Sequence, residues 1–155
     1  MSGSYTVTFS NVAVSAQQDL IAVVAASTKP LLITGYGFSQ TNRGGDAQEE
    51  ILQIALQSGA NTVGSGGNAV TPVANDSGGS AASFTARRND TTKASSGTIV
   101  EHYTHSWNIR GEYERVLPEP MQILLSSGRR ACLVLTETPG QSITMSGWMS
   151  LQEIG

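Results

Sequence analysis

Two histidines and a nearby acid are the residues of this chain that are best suited to binding a metal. His102, His105 and Glu112 fall within one short stretch. A metal site on a single strand needs two histidines that are two residues apart, because only then do both side chains leave the same face. His102 and His105 are three residues apart and, on a strand, point to opposite faces. The spacing therefore predicts surface or interface histidines and no metal site.

The other candidates for chemistry are a cysteine, a glycine-rich stretch and several acids. Cys132 is the only cysteine and lies in the apolar run 131–135, which predicts a buried thiol. Residues 64–68 are rich in glycine, but no Lys-Ser/Thr pair follows as in a phosphate-binding loop, so we interpret them as a flexible turn. The acids are interpreted as solvated charges: Glu49, Glu50, Glu112, Glu114 and Glu119. We therefore predict no catalytic residue, no cofactor and no enzymatic activity.

Alternating apolar and polar residues predict a strand at each end of the chain. At the N terminus Tyr5, Val7 and Phe9 alternate with hydroxyl residues. At the C terminus the apolar set is Ile143, Met145, Gly147, Met149 and Leu151, and the alternate set is Thr144, Ser146, Trp148, Ser150 and Gln152. A period of two is typical of strands with one buried face. The second strand is expected to carry Trp148 on its exposed face.

Further apolar runs predict a series of strands between these two. Residues 20–24 are interpreted as a buried strand, and Leu32, Thr34, Tyr36 and Phe38 are expected to share one face of the next. Five more runs follow, at residues 82–87, 97–107, 112–117, 121–125 and 131–137. Clusters of Gly, Pro, Asn and Ser separate them at a spacing of roughly 8–12 residues, which is typical of sandwiches and barrels.

Residues 50–57 allow two interpretations. The capping-box spacing from Asp46 to Glu49, with Gly59 further on, would suit a two-turn helix. As a strand, the same residues place Leu52, Ile54 and Leu56 on one face. We favour the strand, because a helical register scatters the apolar residues over a broad arc.

Two long segments contain few apolar residues. Residues 58–80 are rich in glycine and support at most a short strand at 69–74, and residues 89–97 form a second segment of this kind. The glycosylation sequons at Asn75 and Asn89 are interpreted as Asx-rich turns. Because a compact domain rarely carries long loops without a contact to make, we expect both segments to contact a partner.

The composition limits the class of protein and of partner. Only 14% of the 155 residues are charged and the net charge is −3. Nucleic-acid binding needs a basic stripe, which this chain lacks, so no nucleic acid is expected as a partner. No apolar segment approaches the length of a membrane span, about 18 residues, and the N terminus has no secretion signal. We expect a single soluble β domain over residues 1–155, with no membrane partner.

The order of features resembles the jelly-roll decoration, or cement, proteins of tailed-bacteriophage capsids. The resemblance covers nearly the whole chain and includes no catalytic or metal-ligating residue. It rests on residues 5–9, 12–20, 45–50, 64–67, 71–72, 89–92 and 143–147 and on the final acid, Glu153.

This resemblance implies an antiparallel, jelly-roll-like β-sandwich with long Gly/Ser/Asn-rich loops. It implies a structural protein of the virion, made in the host cytoplasm and located on the capsid exterior. Such a protein forms a homotrimer and stabilises the shell by bridging subunits of the phage major capsid protein.

A second interpretation is a β-sandwich module of a phage tail or fibre that binds carbohydrate or a receptor. Exposed aromatic residues would then stack on sugar rings, and Trp107, Tyr103 and Trp148 are the candidates, with core packing as the alternative for each. Aromatics that line an open concave groove would favour sugar binding, and aromatics under a flat contact face would favour capsid cement. A third interpretation, a cupin-like metalloenzyme, would require a bound metal.

Overall fold

A computed structural model describes residues 3–41 and 49–155 of the chain. Within these residues the regular structure is β-strand, with one turn of 3₁₀-helix at Glu119–Met121 and no α-helix. The strands are β1 (Ser4–Val14), β2 (Gln18–Val24), β3 (Leu31–Gln40), β4 (Ile51–Thr62), β5 (Asn68–Val70), β6 (Val73–Ala74), β7 (Thr85–Asp90), β8 (Ser95–Asn108), β9 (Tyr113–Val116), β10 (Ile123–Leu125), β11 (Arg130–Leu135) and β12 (Ile143–Glu153). The predicted all-β class is confirmed.

The strands form two antiparallel sheets that pack face to face. Sheet A has the order β10-β3-β12-β1-β6, with β9 also paired to β3, and sheet B has the order β5-β7-β2-β11-β4-β8. The first four strands alternate between the sheets, with β1 and β3 in sheet A and β2 and β4 in sheet B. The last strand, β12, lies beside the first, β1. This connectivity is that of a jelly roll, which β7 and β5 extend at one edge of sheet B and β6 extends at one edge of sheet A. The predicted β-sandwich is confirmed.

The core between the sheets depends on the alternation that the two terminal strands show in sequence. In β12 the inward side chains of Ile143, Met145, Met149 and Leu151 are fully buried, and the intervening residues are half-buried. β1 lies beside β12 and buries Tyr5, Val7 and Phe9 against the same core. Both predicted terminal strands are therefore confirmed.

β4 decides between the helix and the strand that residues 50–57 allowed. It pairs with β11 on one side and with β8 on the other, and Leu52, Ile54 and Leu56 are buried on its inner face. The preferred strand is confirmed. The capping-box residue Asp46 and the stretch 45–48 of the resemblance lie outside the described residues.

The prediction for β3 is wrong in its first half. Tyr36 and Phe38 do face the core, but Leu32 and Thr34 lie on the outer face and Ile33 is buried in their place. The cause is a β-bulge: Gly35 pairs with Ser150 and Ile33 with Leu151, so Thr34 is an extra residue in the ladder. A bulge reverses the inward and outward positions on either side of it.

The predicted long loop at residues 58–80 is more structured than expected. β4 continues as far as Thr62, and the predicted strand at 69–74 is two strands, β5 and β6. β5 pairs with β7 in sheet B and β6 pairs with β1 in sheet A, so the chain changes sheets at Pro72. The second predicted segment, 89–97, is likewise short, because β7 extends to Asp90 and β8 begins at Ser95.

Candidate binding surfaces

The two histidines on β8 have different partners, and the surface or interface position predicted for both is wrong for His105. His105 is buried between the sheets, where its Nε2 lies 2.6 Å from Tyr36 Oη and its ring packs against Tyr113. His102 Nε2 instead lies 2.7 Å from Ser58 Oγ on the neighbouring β4. Across residues 3–41 and 49–155, no three His, Cys, Asp or Glu side chains are grouped so that they could hold a metal ion.

The pair of His105 and Tyr36 is neutral at pH 7. Burial lowers the pKa of His105, and the guanidinium of Arg115 lowers it further. Burial also raises the pKa of Tyr36. A neutral hydrogen-bonded pair is what a dry interior accommodates at least cost. The pair therefore joins β3 of sheet A to β8 of sheet B.

Two of the three aromatic residues proposed as sugar contacts pack against the protein itself. Trp107 is only 3% exposed: its ring lies edge-on to Phe38 and its Nε1 donates to the carbonyl of Gly111. Tyr103 is half-buried, donates its hydroxyl to the carbonyl of Met121 and carries the Arg115 guanidinium over its ring. Trp107 is therefore a core residue, contrary to the sugar-contact expectation.

Cys132 lies on the outer face of sheet B, in a small second core with Ala22 and Val134 that Ala94 covers. The predicted burial of this thiol is confirmed. Asp19 is buried beside it and accepts a hydrogen bond of 2.8 Å from the backbone N–H of Ala94. Burial raises the pKa of Asp19 to about 6, and the nearby Asp90 adds to that rise. Burial also raises the pKa of the Cys132 thiol.

The structure brings together the two segments that we expected to contact a partner. Ser65 and Thr92 form a β-bridge, and Thr62 and Ala60 pair with the start of β8. The backbone N–H of Gly67 donates to Asp90 Oδ1 at 3.0 Å. We call residues 59–70 and 88–100 the loop surface. It takes in the first part of the predicted segment 58–80 and extends beyond both ends of the predicted segment 89–97, whereas β6 of the first segment lies in sheet A.

Buried side chains fix the loop surface from beneath. Asp90 is fully buried and forms an ion pair of 2.8 Å with Arg87. Gln18 donates to the side chain of Asn89, which adopts a positive φ of 56°. The loop surface is therefore held by main-chain pairing and by a buried carboxylate.

The exposed part of the loop surface is poor in charge. Within it, Lys93 is the one fully exposed charged residue, and Arg88 is half-buried. Three aliphatic residues are 42 to 47% exposed: Val63, Ile99 and Val100. Such a surface is suited to contacts that depend on shape and on modest apolar burial.

Trp148 occupies the outer face of sheet A and is half-buried there. Its indole fills the space that side chains on β3 would need, because a Cβ at Gly37 would lie 2.6 Å from Trp148 Nε1. A Cβ at Gly35 would likewise lie 3.4 Å from Trp148 Cζ3. We call this indole, with the two glycines beneath it, the Trp148 platform.

A depression of about 420 Å³ borders the Trp148 platform. Its lining combines aromatic and hydroxyl side chains with Gly147 and one acid, Glu112: the aromatic residues are Phe9, Phe38, Tyr113 and Trp148, and the hydroxyl residues are Thr8, Ser10, Ser39 and Ser146. Of these, Ser146 Oγ accepts a hydrogen bond from the backbone N–H of Asn11. This arrangement can combine ring stacking with hydrogen bonding.

No protein-family model, curated protein or solved structure matches this chain. Within the described ranges, no helix has the length and apolar character needed to cross a membrane. The candidate surfaces therefore rest on the geometry given above.

Sequence reasoning missed two features of these surfaces. The burial of Asp19 could not be recognised in the sequence, because one acid beside a buried strand looks like a solvated charge. Its burial depends on the segment around Ala94, which is distant in sequence. The Gly35 and Gly37 pair is a visible signal, since two glycines two residues apart leave one strand face bare. Their connection with Trp148 needed the register of β3 against β12, which places Gly37 opposite Trp148.

Proposed function

We propose that this chain is a non-enzymatic virion protein that decorates a phage capsid and stabilises it by bridging major capsid subunits. The loop surface is the observation that supports this proposal. Residues 59–70 and 88–100 include parts of both segments expected to contact a partner, and backbone pairings hold them side by side. An ordered surface loses little conformational entropy on binding.

The chemistry of the loop surface suits contact with another protein. Interface cores are poor in charge, and this surface has Lys93 as its one fully exposed charge within the described residues. Val63, Ile99 and Val100 supply exposed apolar area. Binding to capsids is therefore expected to change little between low and high salt, because screening acts mainly on exposed charge pairs.

Assembly as a homotrimer is part of the proposal and follows from the resemblance. Many copies on one shell act together even when each contact is weak. Each subunit that bridges two capsid proteins raises the cost of separating them, because ligands that bind only the assembled state stabilise it.

The test mixes purified protein with undecorated capsids and measures co-sedimentation and the temperature of heat-induced rupture. We expect the protein to sediment as a trimer alone, to pellet with capsids and to raise their rupture temperature. Val63→Asp and Val100→Asp place a charge on the loop surface and should weaken co-sedimentation at least tenfold. Val116→Asp is the matched control, because Val116 is an exposed valine on sheet A.

Three results would contradict the proposal. The first is a monomer that does not pellet with capsids and leaves their rupture temperature unchanged. The second is a steep loss of binding with salt. The third is an equal loss in all three valine variants, which would show that the loop surface is not the contact.

A further inference from the structure

The Trp148 platform is a second surface, and it shares no residue with the loop surface. The indole lies along β3 above Gly35 and Gly37, where no side chain separates it from the backbone. Trp148 is half-buried there, so part of its indole is open to solvent on the outer side of sheet A. Such a ring is fixed in place without being buried in the core, because Gly37 and Gly35 leave room for it.

The depression beside the platform supplies hydrogen-bonding groups. The hydroxyls of Thr8, Ser10 and Ser39 make no hydrogen bond within the part of the chain that the structure describes. A hydroxyl can both donate and accept, and a carboxylate such as that of Glu112 accepts. The volume of about 420 Å³ falls in the range of small-ligand sites, about 300–1,000 Å³.

We propose that the Trp148 platform and its depression bind a pyranose ring of a neutral glycan. One face of a pyranose is made of C–H groups, which stack on the face of an indole, while its rim carries hydroxyls. The free hydroxyls of the depression and the Glu112 carboxylate match that rim in donor and acceptor character. Trp148 lies on the outer face of sheet A and lines an open depression, which is the arrangement expected of a sugar-binding aromatic.

The charges around the site select a neutral sugar. Glu112 lines the depression, and Glu114 lies opposite Gly37 in the β3–β9 ladder, so two carboxylates belong to the site. Arg88 of β7 reaches the edge of the depression, where its Nη1 already donates to the carbonyl of Thr8. A sialylated or sulfated sugar would therefore meet like charge at the platform.

The exposed aliphatic residues of this face do not favour a protein partner at the depression. Val116 and Leu124 are highly exposed but lie on β9 and β10, and neither lines the depression. The groups that do line it are hydroxyls, a carboxylate and aromatic rings. A sugar satisfies these groups better than an apolar protein surface, which would leave the hydroxyls unpaired.

The experiment screens the full chain against neutral hexose and N-acetylhexosamine oligosaccharides, with sialylated and sulfated oligosaccharides on the same array. Hits are then titrated by calorimetry and by tryptophan fluorescence. We expect at least one neutral oligosaccharide to bind, with Kd raised at least tenfold by Trp148→Ala and a few-fold by Glu112→Gln. Tyr103→Phe is the aromatic control and should bind as the wild type does. The ligand-induced fluorescence change should disappear in Trp148→Phe, which keeps Trp107 as a reporter of the fold.

Several results would overturn the proposal. These are the absence of any neutral ligand, binding of acidic oligosaccharides alone, and neutral binding that Trp148→Ala and Glu112→Gln leave unchanged. Loss of capsid co-sedimentation in Trp148→Ala would also overturn it, because the platform would then be a protein contact. Failure of the capsid proposal would leave the glycan-binding measurements unaffected, since they involve no capsid.

Discussion

The loop surface and the Trp148 platform differ in what holds them in place. On sheet B the chain folds back over its own outer face, so that Ala94 covers the second core and Asp19 lies beneath it. On the outer face of sheet A, one indole lies in the space above two glycines. The first surface is made by main-chain pairing and buried carboxylates, and the second by a single side chain.

This difference indicates how each surface responds to substitution. A surface made by main-chain pairing tolerates changes of exposed side chains but not a change that pushes two backbones apart. A platform made by one side chain should behave in the opposite way, because the fold does not depend on it while its binding does. Two comparisons therefore distinguish the two surfaces. The first compares a buried with an outer position of one strand, and the second compares a glycine that faces backbone with a glycine that faces a side chain.

The largest loss of stability is expected for a charge introduced on the inner face of β12, and the same change on its outer face is the comparison. Met145→Asp should unfold the domain, because it places an unpaired carboxylate among fully buried residues. Thr144→Asp, on the half-buried outer side of the same strand, should cost no more than about 1 kcal/mol. Urea denaturation followed by circular dichroism measures both. Equal tolerance at the two positions would mean that β12 does not have one buried face.

The next effect concerns the backbone contacts of the loop surface. Gly59 has a positive φ of 97°, and a Cβ there would collide with the carbonyl oxygen of Thr98. Gly59→Ala should therefore cost about 3 kcal/mol, the sum of backbone strain and overpacking.

Gly128→Ala is the matched control for this substitution. Gly128 also has a positive φ, of 75°, but no atom lies within 4 Å of its Cβ position. Its substitution should cost about 1 kcal/mol, from backbone strain alone. The free energy of unfolding of each variant gives the comparison. Equal costs would show that the Thr98 contact does not restrain the loop surface.

The sequence predicted the fold wherever one strand carried its own signal. β12 alternates along its length, β1 alternates from Tyr5 to Phe9, and β4 shows its buried face in Leu52, Ile54 and Leu56. β3 failed because the bulge at Thr34 is set by its pairing with β12, and no pattern within β3 marks it. Local periodicity predicts a strand but does not report a change of register against its neighbour.

The candidate surfaces were predictable only as separate parts. Residues 58–80 and 89–97 were expected to contact a partner, but their joining through Ser65 and Thr92 depends on a pairing distant in sequence. Trp107 was left open between a sugar contact and core packing, because an aromatic in a half-polar strand gives no indication of which sheet lies against it. Trp148 was correctly placed on the outer face, since it alternates with the buried residues of its own strand.

A smaller effect is expected from the buried carboxylate beneath the loop surface. The pKa of Asp19 is about 6 in the folded protein, raised above its ordinary value by burial. The folded state therefore keeps this proton at a pH where the unfolded chain has released it. The contribution of Asp19 to the free energy of unfolding is largest below the pKa of Asp19 in the unfolded chain, near 4. About 2–3 kcal/mol of this contribution is lost as the pH rises through about 6.

Asp19→Asn should remove this pH dependence. The amide oxygen of the new side chain can still accept the Ala94 N–H, so the variant should match the wild type near pH 4 and be about 2 kcal/mol more stable at pH 7. Urea denaturation of both proteins between pH 4 and pH 8 measures the difference. Parallel curves across that range would show that Asp19 titrates alike in the folded and unfolded states.

The smallest effect on stability, and the sharpest test of the platform, is expected from Gly37→Ala. The new methyl group would meet the indole of Trp148 and not backbone, and a side chain on the outer face can rotate away. The cost should stay below about 1 kcal/mol, in contrast with Gly59→Ala, whose neighbour is a carbonyl. The tryptophan emission spectrum should nevertheless change, and glycan affinity should fall, because the indole loses the flat backbone surface beneath it. Repeating the measurement in Trp148→Phe isolates the contribution of Trp107, whose emission should not respond to Gly37→Ala. A large loss of stability with an unchanged emission spectrum would mean that the indole does not rest on Gly37, and that the two surfaces are held in the same way.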